Sequence, residues 1–410
     1  MAAAQTRFVA AGRPVGTEVD ASSAAIIAHL RRRTLQCCVV LGVVIGIVWI
    51  GLLGERPSYW ILLTAITLAL IAQGITKSYH LAFRRVRRVS LSEVLSAGLG
   101  IGIVAALLAS GVRDLQLLWA VVGASLFFAA VNWRGNPKGV LHQSVAREID
   151  RFVALGIVGT LVSAGFMQAS LIIAAVVVGG DDAGHYAAAL TLATPLSLIT
   201  AALGMVLFPT FSGATRDIER TRYILSAAVR RLTEVLVPLV GAVMLFSSEA
   251  IRIVWGPGYQ PAGLILPMLL GAMLVSGLGM PASQALTAAG VRGMANSVKI
   301  GFAGASVGIL IWILAVGDGG VFAVAIGYAG GTLVTTAGPM IVVSRRVSLG
   351  WKTPLVLGWG ATSAFVFIAT VSQLLDVSIV GRSAIGVVLL VAWATVVVAI
   401  RRSIKRPRTI

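Results

Sequence analysis

The amino-acid sequence predicts an all-α membrane protein that crosses the bilayer about twelve times, and three observations carry that expectation. Of 410 residues 58% are hydrophobic and only 12% charged, with a mean hydropathy of +0.94, more apolar surface than a soluble globule could hide. The apolar residues gather into stretches near the roughly 20 residues that span hydrocarbon at about 1.5 Å per residue. Finally, 29 of the 33 Lys and Arg fall in every second segment between those stretches. That asymmetry predicts a multi-pass protein of the cytoplasmic membrane with its basic loops and both termini in the cytoplasm. The net charge of +18 would suggest nucleic acid in a soluble chain; distributed this way it reports orientation, and no nucleic-acid partner is expected.

The spans expected in order are residues 35–53, 57–76, 94–112, 115–133, 152–178, 186–208, 232–248, 262–288, 300–316, 321–344, 353–375 and 383–400. The pair 152–178 and 186–208 is the clearest, because only the short acidic turn Gly179, Gly180, Asp181, Asp182, Ala183, Gly184 separates two long apolar runs, which makes a helical hairpin. The hairpin ends at Pro209, Thr210 and Phe211, followed by a polar segment, Arg230, Arg231 and another span. The chain opens in a related way, with Phe8, a polar segment, Arg32, Arg33 and a span, but with no hairpin before Phe8. Transporters are often built from such internal repeats. The comparison predicts two pseudo-symmetric lobes around a central cavity: residues 1–151 with four membrane helices, 152–348 with six, and 349–410 with an extra helix pair and a basic tail. It also raises the expectation that two helices are missing from the first lobe. The alternative is an intact twelve-helix protein divided six and six.

Cys37 and Cys38 are adjacent at the inner end of a span, and His29, His80, His142 and His185 fall in four separate segments without metal-ligand spacing, so neither metal nor cofactor is expected. The pairs Gly42 and Gly46, Gly98 and Gly102, Gly304 and Gly308, and Gly327 and Gly331 are each four residues apart and so share a helix face, which predicts close helix packing.

Groups that could do chemistry are scarce. The fifteen acids lie in loops or at span ends, which argues against ion coupling through the visible helices and against a multidrug antiporter. Neutral polar residues remain: Gln73, Asn132, Gln168, Thr191, Thr194, Ser283, Gln284 and Asn296. Of these Gln73, Gln168, Thr191, Thr194 and Gln284 are the candidates to line a substrate cavity, the other reading for each being a hydrogen bond between helices. The outer connections are short, without the large loop that a membrane glycosyltransferase uses, so no enzyme is expected. Residues 137–151 and 212–231 read as amphipathic helices lying on the inner surface with their basic side chains toward anionic lipids.

Several stretches resemble a known family. Gly184, Tyr186, Ala187, Ala188 and Ala189, leading into a span that ends at Pro209, are similar to the eighth helix of the polysaccharide and lipid-linked oligosaccharide flippases of the multidrug/oligosaccharidyl-lipid/polysaccharide (MOP) exporter superfamily. Glu249, Ala250, Ile251, Trp255, Gly256, Tyr259, Pro261 and Ala262 resemble the link between its ninth and tenth helices. Leu286, Ala288, Ala289 and Gly290 resemble the close of the tenth, and Gly319, Gly320, Val321, Ala323 and Ala325 the start of the twelfth. The resemblance is best from residue 152 to 346. It implies two six-helix lobes around a central cavity, and it agrees with a chain lacking the first two helices. It further implies a flippase for a polyprenyl-diphosphate-linked glycan, working beside membrane glycosyltransferases or a polymerase. Basic groups normally receive such a diphosphate, and this chain offers Arg7, Arg216, Arg230, Arg231 and Lys299 at the cytoplasmic mouth. Family members often carry an acid shortly after the position of Gln168, where Ser170 stands here. The alternative function is a transport-inactive member that serves as a scaffold for glycosyltransferases.

Overall fold

Apolar runs bounded by Gly, Pro and Arg leave the backbone no partner in hydrocarbon but itself, so the chain is helical. The computed structural model describes residues 4, 8, 21–47, 57–82, 85–133, 141–215, 217–345, 347 and 352–405. Its α-helices are α1 (Ala21–Gly46), α2 (Pro57–Ala82), α3 (Val86–Ala109), α4 (Trp119–Asn132), α5 (Gln143–Ile173) and α6 (Gly180–Ser212). They continue with α7 (Ile218–Leu245), α8 (Ser247–Trp255), α9 (Ala262–Ala288), α10 (Val291–Ser344), α11 (Lys352–Leu374) and α12 (Ile379–Lys405). Among the described residues, nine helices are long and apolar enough to cross a membrane, or ten if α7 and α8, bent by 70°, form one broken span.

The difference from twelve has two identifiable sources. The expected spans 300–316 and 321–344 are both present as the two halves of the 54-residue α10, which count together only because the chain reverses at Gly320, with φ 52° and ψ −137°, a conformation open to glycine, and the halves lie against each other at Gly304, Gly308, Gly327 and Gly331. The expected span 35–53 falls on α1, whose sequence carries Arg31, Arg32 and Arg33, and residues 48–53 lie outside the described ones.

Two further expectations are corrected. The segments 137–151 and 212–231 are not separate surface helices: their described parts from Gln143 and from Ile218 run without a break into α5 and α7. The connection between the spans expected at 232–248 and 262–288, one of those read as short outer links, is itself helical, since it holds most of α8, in which Ser247 and Ile251 are buried, and a short 3-10 turn Pro257–Tyr259. The reversal between α5 and α6 is also tighter than its six residues suggested. Gly179 and Gly180, with φ 68° and 58°, make the turn, and Asp181 and Asp182 already sit in the first turn of α6, where the helix dipole favours acids.

The chain divides into two compact units, Met1–Ala154 and Leu155–Ile410. In the first, α2 and α4 pack through Leu62, Ala69 and Val122, with Ala65, Ile66 and Leu118 around them. The Trp60 indole N–H donates to the Gly42 carbonyl at 3.3 Å and so joins α1 to α2. In the second, α9 is central: 18 of its 27 residues are buried, which is what a helix apolar on every side requires. Its glycines seat its neighbours, with Gly277 facing Thr200 of α6, Gly279 facing Thr336 of α10 and Gly271 facing Val366 of α11.

Candidate functional site

The second unit contains the polar candidates Gln168 on α5, Thr191 and Thr194 on α6, and Gln284 on α9. Gln168 is exposed, and no hydrogen bond of its amide occurs among the described residues. Thr191 is exposed too, but its hydroxyl donates to the Ala187 carbonyl at 2.8 Å, as the Thr194 hydroxyl does to Leu190 at 2.8 Å. Helical threonines can always satisfy themselves this way, so hydroxyls in a span are weak markers of a site. Gln284 is half-buried, with its amide lying over Gly204 of α6: a methyl placed on that glycine would stand 3.0 Å from Gln284 Nε2. The contact joins α9 to α6 beside Met280. Gln73 is half-buried on α2 of the first unit.

Of the basic candidates, Arg7 and Arg216 lie outside the described residues. Arg230 approaches Glu234 one turn along α7 at 4.0 Å, while Arg231 and Lys299 are exposed on α7 and α10. Ser170, where the resembled family often has an acid, is fully buried, and its hydroxyl donates to the Met167 carbonyl at 2.6 Å, so it supplies no free polar group. Asn132 takes hydrogen bonds between helices. It is buried at the end of α4, where Oδ1 accepts from Arg88 Nε at 3.2 Å and Ser92 Oγ at 3.3 Å, and Nδ2 donates to the Phe128 carbonyl. Its own carbonyl lies 3.1 Å from His80 Nε2.

Two arrangements were missed. On the α5 side of α10, Phe166 stacks on Trp312 at 4.9 Å and on Tyr328 at 5.7 Å, filling the notch where the two halves of α10 cross at Gly304, Gly308, Gly327 and Gly331. The Trp312 N–H is satisfied by the Val324 carbonyl at 2.9 Å. On the opposite side of the span from Arg230 and Arg231, Arg382 of α12 grips Glu249 of α8 at 2.7 Å and 3.0 Å and donates to the Val377 carbonyl at 3.0 Å. A signal for this pair was present, because Arg382 is one of only four basic residues outside the basic segments and Glu249 is an acid in the same set of loops.

In the first unit, Asp150 near the start of α5 takes Arg33 Nη2 at 2.6 Å, Arg33 Nε at 3.3 Å and His29 Nε2 at 2.8 Å. Partial burial works to raise the Asp150 pKa, but the hydrogen bonds from Arg33 and His29 together outweigh it and hold the carboxyl below its usual range. Asp150 precedes the apolar run of α5, a helix longer than a bilayer needs. Among the described residues no group of three or more His, Cys, Asp or Glu could hold a metal ion.

Comparison with known proteins places this architecture. Residues 36–263, more than half of the chain, match the model of a family described as polysaccharide biosynthesis protein. A succinoglycan biosynthesis transport protein, ExoT, of Rhizobium meliloti (strain 1021) is 28% identical over 228 residues, covering 53% of this chain and 45% of that protein; the match thus spans less than half of that relative's length. Among solved structures, a MATE in the bent conformation aligns with a TM-score of 0.62 at 15% identity, covering 90% of this chain and 84% of that one. The eukaryotic MATE transporter AtDTX14 gives 0.62 at 14%, covering 88% and 86%. The lipid II flippase MurJ in an inward closed conformation gives 0.57 at 12%, covering 95% and 86%. At such identities the structures speak for the fold alone. The protein is a multi-pass membrane protein with the fold of the MOP exporters, and it belongs to the polysaccharide biosynthesis protein family.

Proposed function

We propose that the protein moves a lipid-linked oligosaccharide or polysaccharide precursor, carried on a polyprenyl diphosphate, across the cytoplasmic membrane by alternating access, and that it is not an enzyme. The observation that carries this reading is the bare amide of Gln168. It lies in the apolar run of α5, exposed and without a hydrogen-bond partner among the described residues. An unpaired amide in hydrocarbon costs roughly 2–7 kcal/mol, so a water-filled cavity is its favoured surrounding. Thr191, Thr194, Gln284 and Gln73 are the further cavity candidates, and Arg230, Arg231 and Lys299, with Arg7 and Arg216, are the groups to meet the diphosphate at the cytoplasmic mouth. Membership of a polysaccharide biosynthesis family, and the transport named for the succinoglycan relative, support the same cargo class.

The test is transport of a labelled polyprenyl-diphosphate oligosaccharide by the purified full chain in proteoliposomes. Gln168→Leu should reduce flux tenfold or more while leaving the melting temperature within a few degrees. Unchanged flux with a collapse in folding would assign Gln168 to packing. An inert wild type that nevertheless co-purifies with glycosyltransferases would favour the scaffold role. Orientation is tested separately: Ala183→Cys should react with an impermeant thiol reagent on intact cells and Ser226→Cys should not.

A further inference from the structure

The surface of the first unit holds a pocket that the transport reading does not use. Among the described residues it is lined by His29, Arg32, Arg33 and Gln36 of α1 and has a volume of about 260 Å³. These positions follow one another by three, one and three residues, so all four side chains leave the same helix face. Arg33 is fixed from two sides, its Nε and Nη2 on Asp150 and its Nη1 donating to Gln36 Oε1 at 3.1 Å. That bond consumes the Gln36 oxygen and leaves its NH2 group to donate. Arg32 is exposed and makes no hydrogen bond or ion pair among the described residues. One carboxylate therefore faces two guanidinium groups and an imidazole, and the balance is positive. The apolar run of α1 begins at Leu35, which is 63% exposed, so the pocket sits where hydrocarbon gives way to headgroups.

We propose that this pocket is an anion site for a phosphate group at the membrane surface, with Arg32 as the bidentate donor and the Gln36 NH2 group as the second contact. Asp150 positions Arg33, which supplies charge rather than direct contacts. Size supports the assignment. The volume falls below the roughly 300 Å³ at which ligand pockets usually begin, too small for a glycan and adequate for one phosphate. Guanidinium groups match phosphate in geometry and charge, and basic pockets at this depth suit acidic headgroups. The phosphate belongs either to an anionic phospholipid or to a free anion, and the site is independent of what the protein transports.

The experiment uses the full chain in two arms. In the first, the protein in phosphatidylcholine nanodiscs receives increasing phosphatidylglycerol, and the lipid retained is counted by native mass spectrometry. In the second, inorganic phosphate is titrated calorimetrically into the phosphatidylcholine nanodiscs. Retention of phosphatidylglycerol without phosphate heat names a lipid site, and phosphate heat names a free-anion site. Arg32→Gln should weaken the binding seen about fivefold, the effect of one basic side chain at an anionic surface. Arg220→Gln, which removes an exposed arginine elsewhere, should leave it within about twofold. Gln36→Leu should weaken binding without changing the net charge, which covers the case of a poorly folding Arg32 variant. Binding in neither arm, equal losses for Arg32→Gln and Arg220→Gln, or full binding by Gln36→Leu would overturn the site.

Discussion

Gly308 and Gly98 each belong to a pair of glycines four residues apart in an apolar helix, yet a methyl group added to the first would stand 2.2 Å from Phe166 Cζ, and one added to the second would meet nothing within 4 Å. The contrast extends to the units around them. In Leu155–Ile410 the helices close on one another through glycine: Gly304 against the Gly331 carbonyl, Gly327 against Trp312, Gly241 against the Phe365 ring. In Met1–Ala154 the apolar contact of α2 with α4 is supplemented at the helix ends by polar and charged pairs, Lys77 with Glu93, Arg88 with Asn132, and Arg33 and His29 with Asp150. Spacing establishes that two glycines share a helix face. It does not establish that a partner lies on that face.

The largest effect expected of a substitution that breaks this contrast is at the crossing within α10. Gly308→Leu would drive four carbons into Phe166 and the Gly327 carbonyl, at a cost above about 3 kcal/mol, the upper end for overpacking. The purified variant should lose its monodisperse peak and its cooperative melt, with Gly308→Ala falling between it and wild type. The counterpart in the first unit is smaller. Asn132→Ala strips Arg88 and Ser92 of their common acceptor, and a destabilisation of roughly 1–3 kcal/mol should appear as a lower melting temperature in detergent.

Gly98→Ala sharpens the comparison by its sign. With open space around the new methyl, the gain in helix propensity should stabilise the protein by roughly 0.5–1 kcal/mol, and a lower melting temperature would mean that something does pack on that face. Smallest is Asp150→Asn, at no more than about 1 kcal/mol for a partly exposed pair. Because the folded carboxyl titrates below its unfolded value, its contribution is present above the ordinary carboxylate range and is lost as pH falls through the lowered value. Stability measured against pH should therefore fall less steeply in acid for the variant than for wild type.

Much of the architecture was legible because hydrophobic length is a property of the chain alone. The span at 262–288 coincides with α9, and that at 353–375 lies within one residue of α11 at either end. Where the reading failed, the cause lay at the helix ends. Nothing in the composition of residues 212–231 distinguishes a surface helix from the first turns of a membrane one, because both are amphipathic. The site was less legible still. Thr191 and Thr194 bond their own backbone, and Asn132 serves its own unit, which polar identity by itself could not reveal. The pairing of Phe166 with Trp312 and Tyr328 depends on a crossing between helices remote in sequence, and no local pattern encodes that.

The seating of α11 bears on how the protein is made. Gly241 of α7 and Gly271 of α9 form two notches, and the residues that occupy them, Phe365 and Val366, are translated roughly a hundred residues later at 5–20 residues per second. For several seconds α7 and α9 thus sit in the bilayer with a gap along their shared flank. The unit Leu155–Ile410 is finished from its last helices backwards: α11 closes the gap, and Arg382 then fastens α12 to Glu249. A premature stop before Phe365 would leave every earlier helix in place and still yield a unit with an open seam, so quality control that senses exposed seams, rather than missing spans, is what such a truncation would meet.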